Sequence, residues 1–161
     1  MPRESMRSKR ERAVEFCGRM GERYGDVGSA LNFCNPFELV ISVLLSAQTT
    51  DVAVNSVTPE LFGRWPTPQA LATASPADVG KVIHRLGFWR SKSEHCVGAA
   101  QMMVSDFGGE VPRTMGELTR LPGVGRKTAN IVLEKAFDTV DGIAVDTHVY
   151  RIATRLRFTN A

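Results

Sequence analysis

Cysteine is scarce in this chain: Cys17, Cys34 and Cys96 are the only three in 161 residues. An odd number at wide spacings suits reduced thiols better than a disulfide framework or a zinc site, so each is expected to be packed in the core. Long apolar runs are lacking too. The longest candidate, 37–47, is interrupted by Glu38 and ends in Gln48, Thr49, Thr50 and Asp51, which excludes a helix that crosses a bilayer. Residues 1–20 are charged throughout and hold no apolar stretch of the secretory kind, so the expected home is the cytoplasm. A charge excess of one sign is missing from most of the chain. The net +3 lies within residues 1–12, where five basic groups face two acidic ones, and the remainder balances at 15 against 15. The pI near 9.0 is therefore weak evidence for a polyanionic partner, and the basic start reads equally as a solvated, frayed arm.

What is present is helical periodicity. No run alternates strictly between apolar and polar, whereas Ala13, Phe16, Cys17, Met20 and Tyr24 form one stripe at helical spacing. Val79, Val82, Ile83 and Leu86 form a second; Ala129, Val132, Leu133, Ala136 and Phe137 a third; Val149, Ile152, Ala153 and Leu156 a fourth. The expected fold class is all-α, with helices near 8–24, 37–48, 51–62, 68–73, 76–86, 91–107, 114–120, 125–137 and 147–156. Start signals agree: Thr67-Pro68 and Ser75-Pro76 each place a cap before a helical proline, and Ser91 with Glu94 and Thr114 with Glu117 fit capping boxes. The segment 37–48 is apolar on nearly every side, so it is expected to run through the centre of the domain. At its polar end Asp51 either caps the following helix or faces a partner.

Three places offer chemistry. Leu121-Pro122-Gly123-Val124-Gly125 sits between two helical patterns and opens into the third stripe, a hairpin between helices. Glycine at 123 and 125 allows a sharp turn whose N–H groups, at the positive end of the next helix, suit a phosphate oxygen; an ordinary helix–helix turn is the plainer alternative. Lys127 falls in the first turn of that helix. A helix start disfavours a cation, and burial against the third stripe would disfavour it further, so both effects are expected to push the amine toward its neutral, nucleophilic form. The alternative is an exposed lysine that holds phosphate. Asp146 follows Ile143-Ala144-Val145 and precedes the fourth stripe, the position of an N-cap, and a carboxylate there can also stabilise a cationic transition state or move a proton.

The strings Leu44-Leu45-Ser46-Ala47-Gln48-Thr49-Thr50-Asp51, Leu121-Pro122-Gly123-Val124-Gly125-Arg126-Lys127-Thr128-Ala129-Asn130 and Ile143-Ala144-Val145-Asp146-Thr147-His148-Val149-Tyr150-Arg151 resemble three signature segments of the endonuclease III family, in its order and at nearly its spacing. The resemblance runs from about Asn32 to Arg157. It implies a multi-helix DNA glycosylase fold with a helix-hairpin-helix motif at about 114–137, inside a six-helix domain at 26–140. Residues 1–25 would be the basic arm and N-terminal helix, and 141–161 the start of a second helical domain. It further implies that Lys127 attacks C1′ of an oxidised pyrimidine nucleotide flipped out of the duplex, that a Schiff base forms, and that β-elimination nicks the strand, with Asp146 assisting. Gln48 and Phe88 would enter the gap left by that nucleotide, and Leu121, Gly123, Val124, Gly125 and Arg126 would hold the DNA. Ser46, Asp51, Thr147 and His148 would lie around the substrate pocket. Phe88 departs from the aliphatic residue often found there, and the plain alternative for Phe88 and Trp89 is core packing.

Sister branches resemble the chain less. The adenine-removing branch carries serine or tyrosine where Lys127 stands and glutamate where Val43 stands; the alkylated-base branch generally lacks the lysine; the oxidised-guanine branch lacks the Ser46–Asp51 pattern. The family usually continues to a four-cysteine [4Fe–4S] loop, whereas no cysteine follows Cys96, so no cofactor or metal is assigned to the residues present. In the family later helices also cover the N-terminal one, so the chain is expected to be a truncation with the stripe Ala13, Phe16, Cys17, Met20 partly uncovered. The expected partner is double-stranded DNA carrying damaged pyrimidines or abasic sites, bound by a monomer without a membrane, in a cytoplasmic, nucleoid-associated setting. A catalytically incomplete DNA-binding fragment is the second reading, and a hairpin used for protein docking the third.

Overall fold

Small polar side chains and prolines set where the helices of this chain begin. In the computed structural model, which describes residues 4–25 and 28–159, the regular elements are all α-helices. They are α1 (Met6–Tyr24), α2 (Pro36–Leu45), α3 (Asp51–Arg64), α4 (Pro68–Ala72), α5 (Pro76–Ile83), α6 (Trp89–Phe107), α7 (Met115–Leu118), α8 (Arg126–Phe137) and α9 (Thr147–Arg155). Seven of these nine start on a side chain that accepts a first-turn N–H: Ser5, Asn35, Thr50, Thr67, Ser75, Thr114 and Asp146. Pro36, Pro68 and Pro76 follow their caps directly, where the missing N–H costs nothing and the fixed φ suits a helix. The two exceptions are α6 after Phe88 and α8 after Gly125, which have no side-chain cap.

The chain divides into two compact units, one of Met1–Ser29 with Val145–Ala161 and one of Ala30–Ala144. In the second, α2 runs through the core and packs on α3, α6 and α8, while α6 packs on α4 and α5. Eight of the ten residues of α2 are buried, as its all-round apolar sequence requires. Leu39, Ile41 and Leu45 are wholly buried, each worth roughly 1.5–3 kcal/mol of transfer free energy. The first unit holds α1 and α9. There Arg12 bonds the Leu156 carbonyl at 2.6 Å and lies 4.7 Å from the Phe158 ring centre, with Phe16 edge-on to Phe158 at 5.9 Å. Arg12 also pairs with Glu4, whose carboxyl its hydrogen bond holds below the usual range.

Several expectations need correction. Among residues 1–12, those from Met6 onward are already helical, so the basic start is not a frayed arm over that span. Cys17, expected in the core as a thiol, is exposed; the stripe of α1 is partly uncovered as expected, with Ala13 and Phe16 half-buried and Met20 40% exposed, whereas Val149 and Ile152 of the fourth stripe are exposed. Cys34 is exposed too, leaving Cys96 as the buried thiol, with burial pushing its pKa up to about 12. The Ser91–Glu94 capping box does not form, because α6 begins two residues earlier, at Trp89. Helix α2 ends at Leu45 and not at residue 48, because Gln48 takes the left-handed conformation (φ 53°) and ends any helical path. No helix among the described residues is long and apolar enough to cross a membrane.

Candidate functional site

The turn at 121–125 is built by its own sequence. Val124 N–H bonds the Leu121 carbonyl at 3.0 Å, Pro122 occupies the second position and Gly123 the third with φ 78°, the pattern of a type II turn. Leu121 and Val124 are buried and pin the turn to the core from both sides, while Gly123, Gly125, Arg126 and Lys127 are exposed. Helix α6 lies behind it. A Cβ on Gly123 would come within 2.9–3.0 Å of His95, and one on Gly98 within 3.3 Å of Pro122. Gly125 is the N-cap of α8 in an extended conformation and offers no side-chain oxygen. The positive end of α8 is thus left to solvent or an anion, which is the chemistry a phosphate-binding hairpin needs.

Lys127 is the second residue of α8 and is exposed, so the expected burial against Ala129, Val132 and Leu133 does not occur. Helix geometry explains the difference: two residues correspond to about 200°, which turns Lys127 away from Ala129. Asp146 caps α9, with Oδ1 accepting from the backbone of both His148 and Val149 at 2.9 Å. Thr147 opens that helix and is exposed, and His148 Nδ1 lies 3.1 Å from Arg151. Asp51 is not a cap: Thr50 takes that role, and Asp51 is an exposed acid in the first turn of α3, where it suits the helix dipole. Ser46 closes α2 by donating its hydroxyl to the Val43 carbonyl at 2.8 Å.

Gln48 and Phe88 share an unusual backbone. Both are left-handed, at φ 53° and 57°, and Phe88 is 69% exposed, so it does not pack in the core; Trp89 does, in part. The other left-handed non-glycine residues among those described, Asp138 and Arg157, lie at helix C-termini, where that conformation is ordinary. Gln48 closes the turn that ends α2, whereas Phe88 stands immediately before a helix, and an exposed aromatic held there at positive φ is strain that points toward function.

Two contributors were missed by the sequence reading. Asn130, buried in α8, donates from Nδ2 to the Ile143 carbonyl at 3.2 Å and so ties down the run that leads toward Asp146. Lys92 is only 4% exposed and donates from Nζ to Thr49 Oγ1 at 2.6 Å. Its signal was legible: it lies at helical spacing on the buried face that continues through Cys96, Ala99 and Met103. A groove of about 640 Å³ along α5 and α6, where Arg90 stacks on Trp89, is lined by none of the candidate residues.

Among the described residues no group of three His, Cys, Asp or Glu could hold a metal ion, and Cys96 is sealed within α6, so the residues present do not fit an iron–sulfur cluster.

Residues 41–161 match the model of the HhH-GPD superfamily base excision DNA repair protein. The chain is 44% identical to endonuclease III of Synechocystis sp. over 97% of its own length and 71% of that protein. It is 42% identical to endonuclease III of Escherichia coli, over 90% and 68% of the two chains. For endonuclease III of Bacillus subtilis the identity is 44%, with 65% of that protein covered, so the chain spans 65–71% of the length of these relatives. Among solved structures it resembles a non-covalent endonuclease III–DNA complex, with a TM-score of 0.86 and 41% identity over 92% of this chain and 70% of that one. A trapped covalent endonuclease III–DNA intermediate matches equally well.

Proposed function

The chain belongs to the HhH-GPD superfamily of base excision DNA repair proteins, within the endonuclease III family of DNA glycosylases, and we propose on that footing that it removes oxidised pyrimidines from duplex DNA and nicks the strand through a Schiff base at Lys127. The observation that carries this reading is the lysine in the first turn of α8, two residues beyond a glycine cap that leaves the helix start to an anion. A phosphate seated there would hold the damaged strand against the helix that bears the nucleophile.

In this reading the Lys127 amine attacks C1′ of the flipped nucleotide, and the N-glycosidic bond breaks as the base leaves with a proton. Nζ gives one proton to the departing base and keeps the other; as the C1′–O4′ bond then breaks, O4′ takes up a proton from solvent and a protonated iminium forms between Nζ and C1′. Removal of a C2′ proton then expels the 3′ phosphate, and water releases the lysine. The Asp146 carboxylate stabilises the cationic sugar, a role that rests on the family resemblance, in addition to its function as a cap. Gln48 and Phe88 fill the vacated space in the duplex. Arg126 and the 121–125 turn bind phosphate and Ser46 and Asp51 border the base, while a part for Thr147 and His148 rests on the family resemblance alone. The protein acts as a monomer on lesion-bearing DNA in the cytoplasm.

Borohydride reduction tests the reading. A covalent adduct is expected between the chain and duplex DNA with an oxidised pyrimidine, absent in Lys127→Ala. Duplex binding without any adduct would refute the lyase chemistry and leave a DNA-binding module.

A further inference from the structure

The two exposed residues that would enter the duplex come from separate loops, and one buried residue joins those loops, by its side chain on one side and its backbone on the other. Lys92 lies one turn into α6. Its backbone N–H bonds the Phe88 carbonyl at 3.0 Å, and its ammonium bonds Thr49 Oγ1. Thr49 in turn closes the tight turn that holds Gln48: its N–H bonds the Ser46 carbonyl at 3.0 Å, and its hydroxyl contacts the Ala47 carbonyl at 3.4 Å. One residue thus ties together the two loops that hold left-handed Gln48 and left-handed Phe88. Such conformations persist only when the surroundings over-determine them.

We propose that Lys92 is a positioning residue that locks the Gln48 turn to the start of α6, so that Gln48 and Phe88 enter the duplex as a single rigid wedge. This rests on reading the chain as a glycosylase that acts on duplex DNA. The arrangement is costly in itself. Among the described residues no carboxylate pairs with this ammonium, and burial holds its pKa below the ordinary lysine value. An apolar side chain of similar length would fill the same space without that cost, so packing alone does not explain a lysine here.

The test compares borohydride trapping on a duplex with one abasic site and on the same strand without its complement, which presents no stack to wedge apart. The readout is the ratio of the duplex rate to the single-strand rate. Lys92→Met is expected to lower that ratio by roughly 100-fold, the scale of a misplaced side chain at a reacting centre. Thr49→Val, at a half-buried site, should lower it similarly, the double variant should lose little more, and Thr49→Ser should restore it. If Lys92→Met does not fold, Thr49→Val and its serine rescue decide the matter. An unchanged ratio in Thr49→Val or in folded Lys92→Met, or equal losses on both substrates, overturns the proposal. An unmodified chain that traps neither substrate instead overturns the glycosylase reading, and the wedge falls with it.

Discussion

Gly123→Ala probes the hairpin with a single methyl group. At φ 78° an alanine is held in the left-handed region, a cost of roughly 1–2 kcal/mol. The added Cβ would also lie 2.9 Å from His95 Cγ and Nδ1 and 3.0 Å from its Cβ. Because His95 Cβ is itself in the way, the side chain cannot swing clear by rotating its ring, and part of the hairpin or of α6 must shift. Overpacking of that kind costs about 1–3 kcal/mol, which brings the total to roughly 2–5 kcal/mol. Gly125→Ala is the internal control: its φ is −92° and open space surrounds the site, so only the poorer capping by alanine remains and stability should fall by no more than about 1 kcal/mol. Urea unfolding followed by circular dichroism measures both, and duplex binding by anisotropy over a salt series shows whether a distorted turn also loses phosphate. In Gly123→Ala/His95→Ala the ring contacts disappear while the strained φ and the Cβ contact remain. Partial recovery is expected, with a coupling of at least about 0.5 kcal/mol. Equal stability of Gly123→Ala and Gly125→Ala, or additivity with His95→Ala, would refute the picture of a hairpin seated on α6.

Asp146 can be divided into its two roles by substitution. Asp146→Ala should cost about 1 kcal/mol of stability through loss of the cap, whereas Asp146→Asn should cost little, since asparagine caps as well as aspartate. A full excision rate in Asp146→Asn would show that the negative charge has no part in the reaction. The thiols offer a check on burial. Cys17 and Cys34 should react promptly with an aromatic disulfide at neutral pH, while Cys96, sealed in α6 with its pKa raised to about 12, should react only on unfolding. Three equally fast thiols would contradict the packing of α6.

The helices were legible because their signals are local. Thr67 before Pro68, Ser75 before Pro76 and Thr114 before Glu117 each supply a cap within three residues of the donor it satisfies. Where a boundary depends on partners distant in sequence, the reading failed. Ser46, Ala47 and Gln48 are all compatible with a helix, and what stops α2 there is a turn held by Thr49 and Lys92, 43 residues apart. The exposure of Cys17 follows from the uncovered stripe it lies on, whereas that of Cys34, in the bend before α2, had no local signal. The Lys127 error was different in kind. Its angle from Ala129 could be counted from the sequence, and that count alone places it on the outer side of α8.

The candidate site was legible where it consists of backbone, as in the hairpin, and hidden where it consists of support. Phe88, Lys92, His95 and Gly98 follow one another at steps of four, three and three residues, which keeps them within about a third of the circumference of α6. From that arc Phe88 is presented to solvent, Lys92 reaches the Gln48 turn, and His95 and Gly98 seat the 121–125 hairpin. In the sequence this stretch reads as an ordinary polar helix face, because a lysine and a histidine among serines suggest solvent. The burial of Lys92 could be read from its register with Cys96, Ala99 and Met103, but its purpose becomes intelligible only once the Gln48 turn is seen to meet it. A rigid helix of 19 residues anchored in the core from Lys92 to Met103 is a better reference for such loops than they are for one another. That is why substitutions inside α6, and not only at the exposed residues it carries, should govern how well the two loops and the hairpin act together.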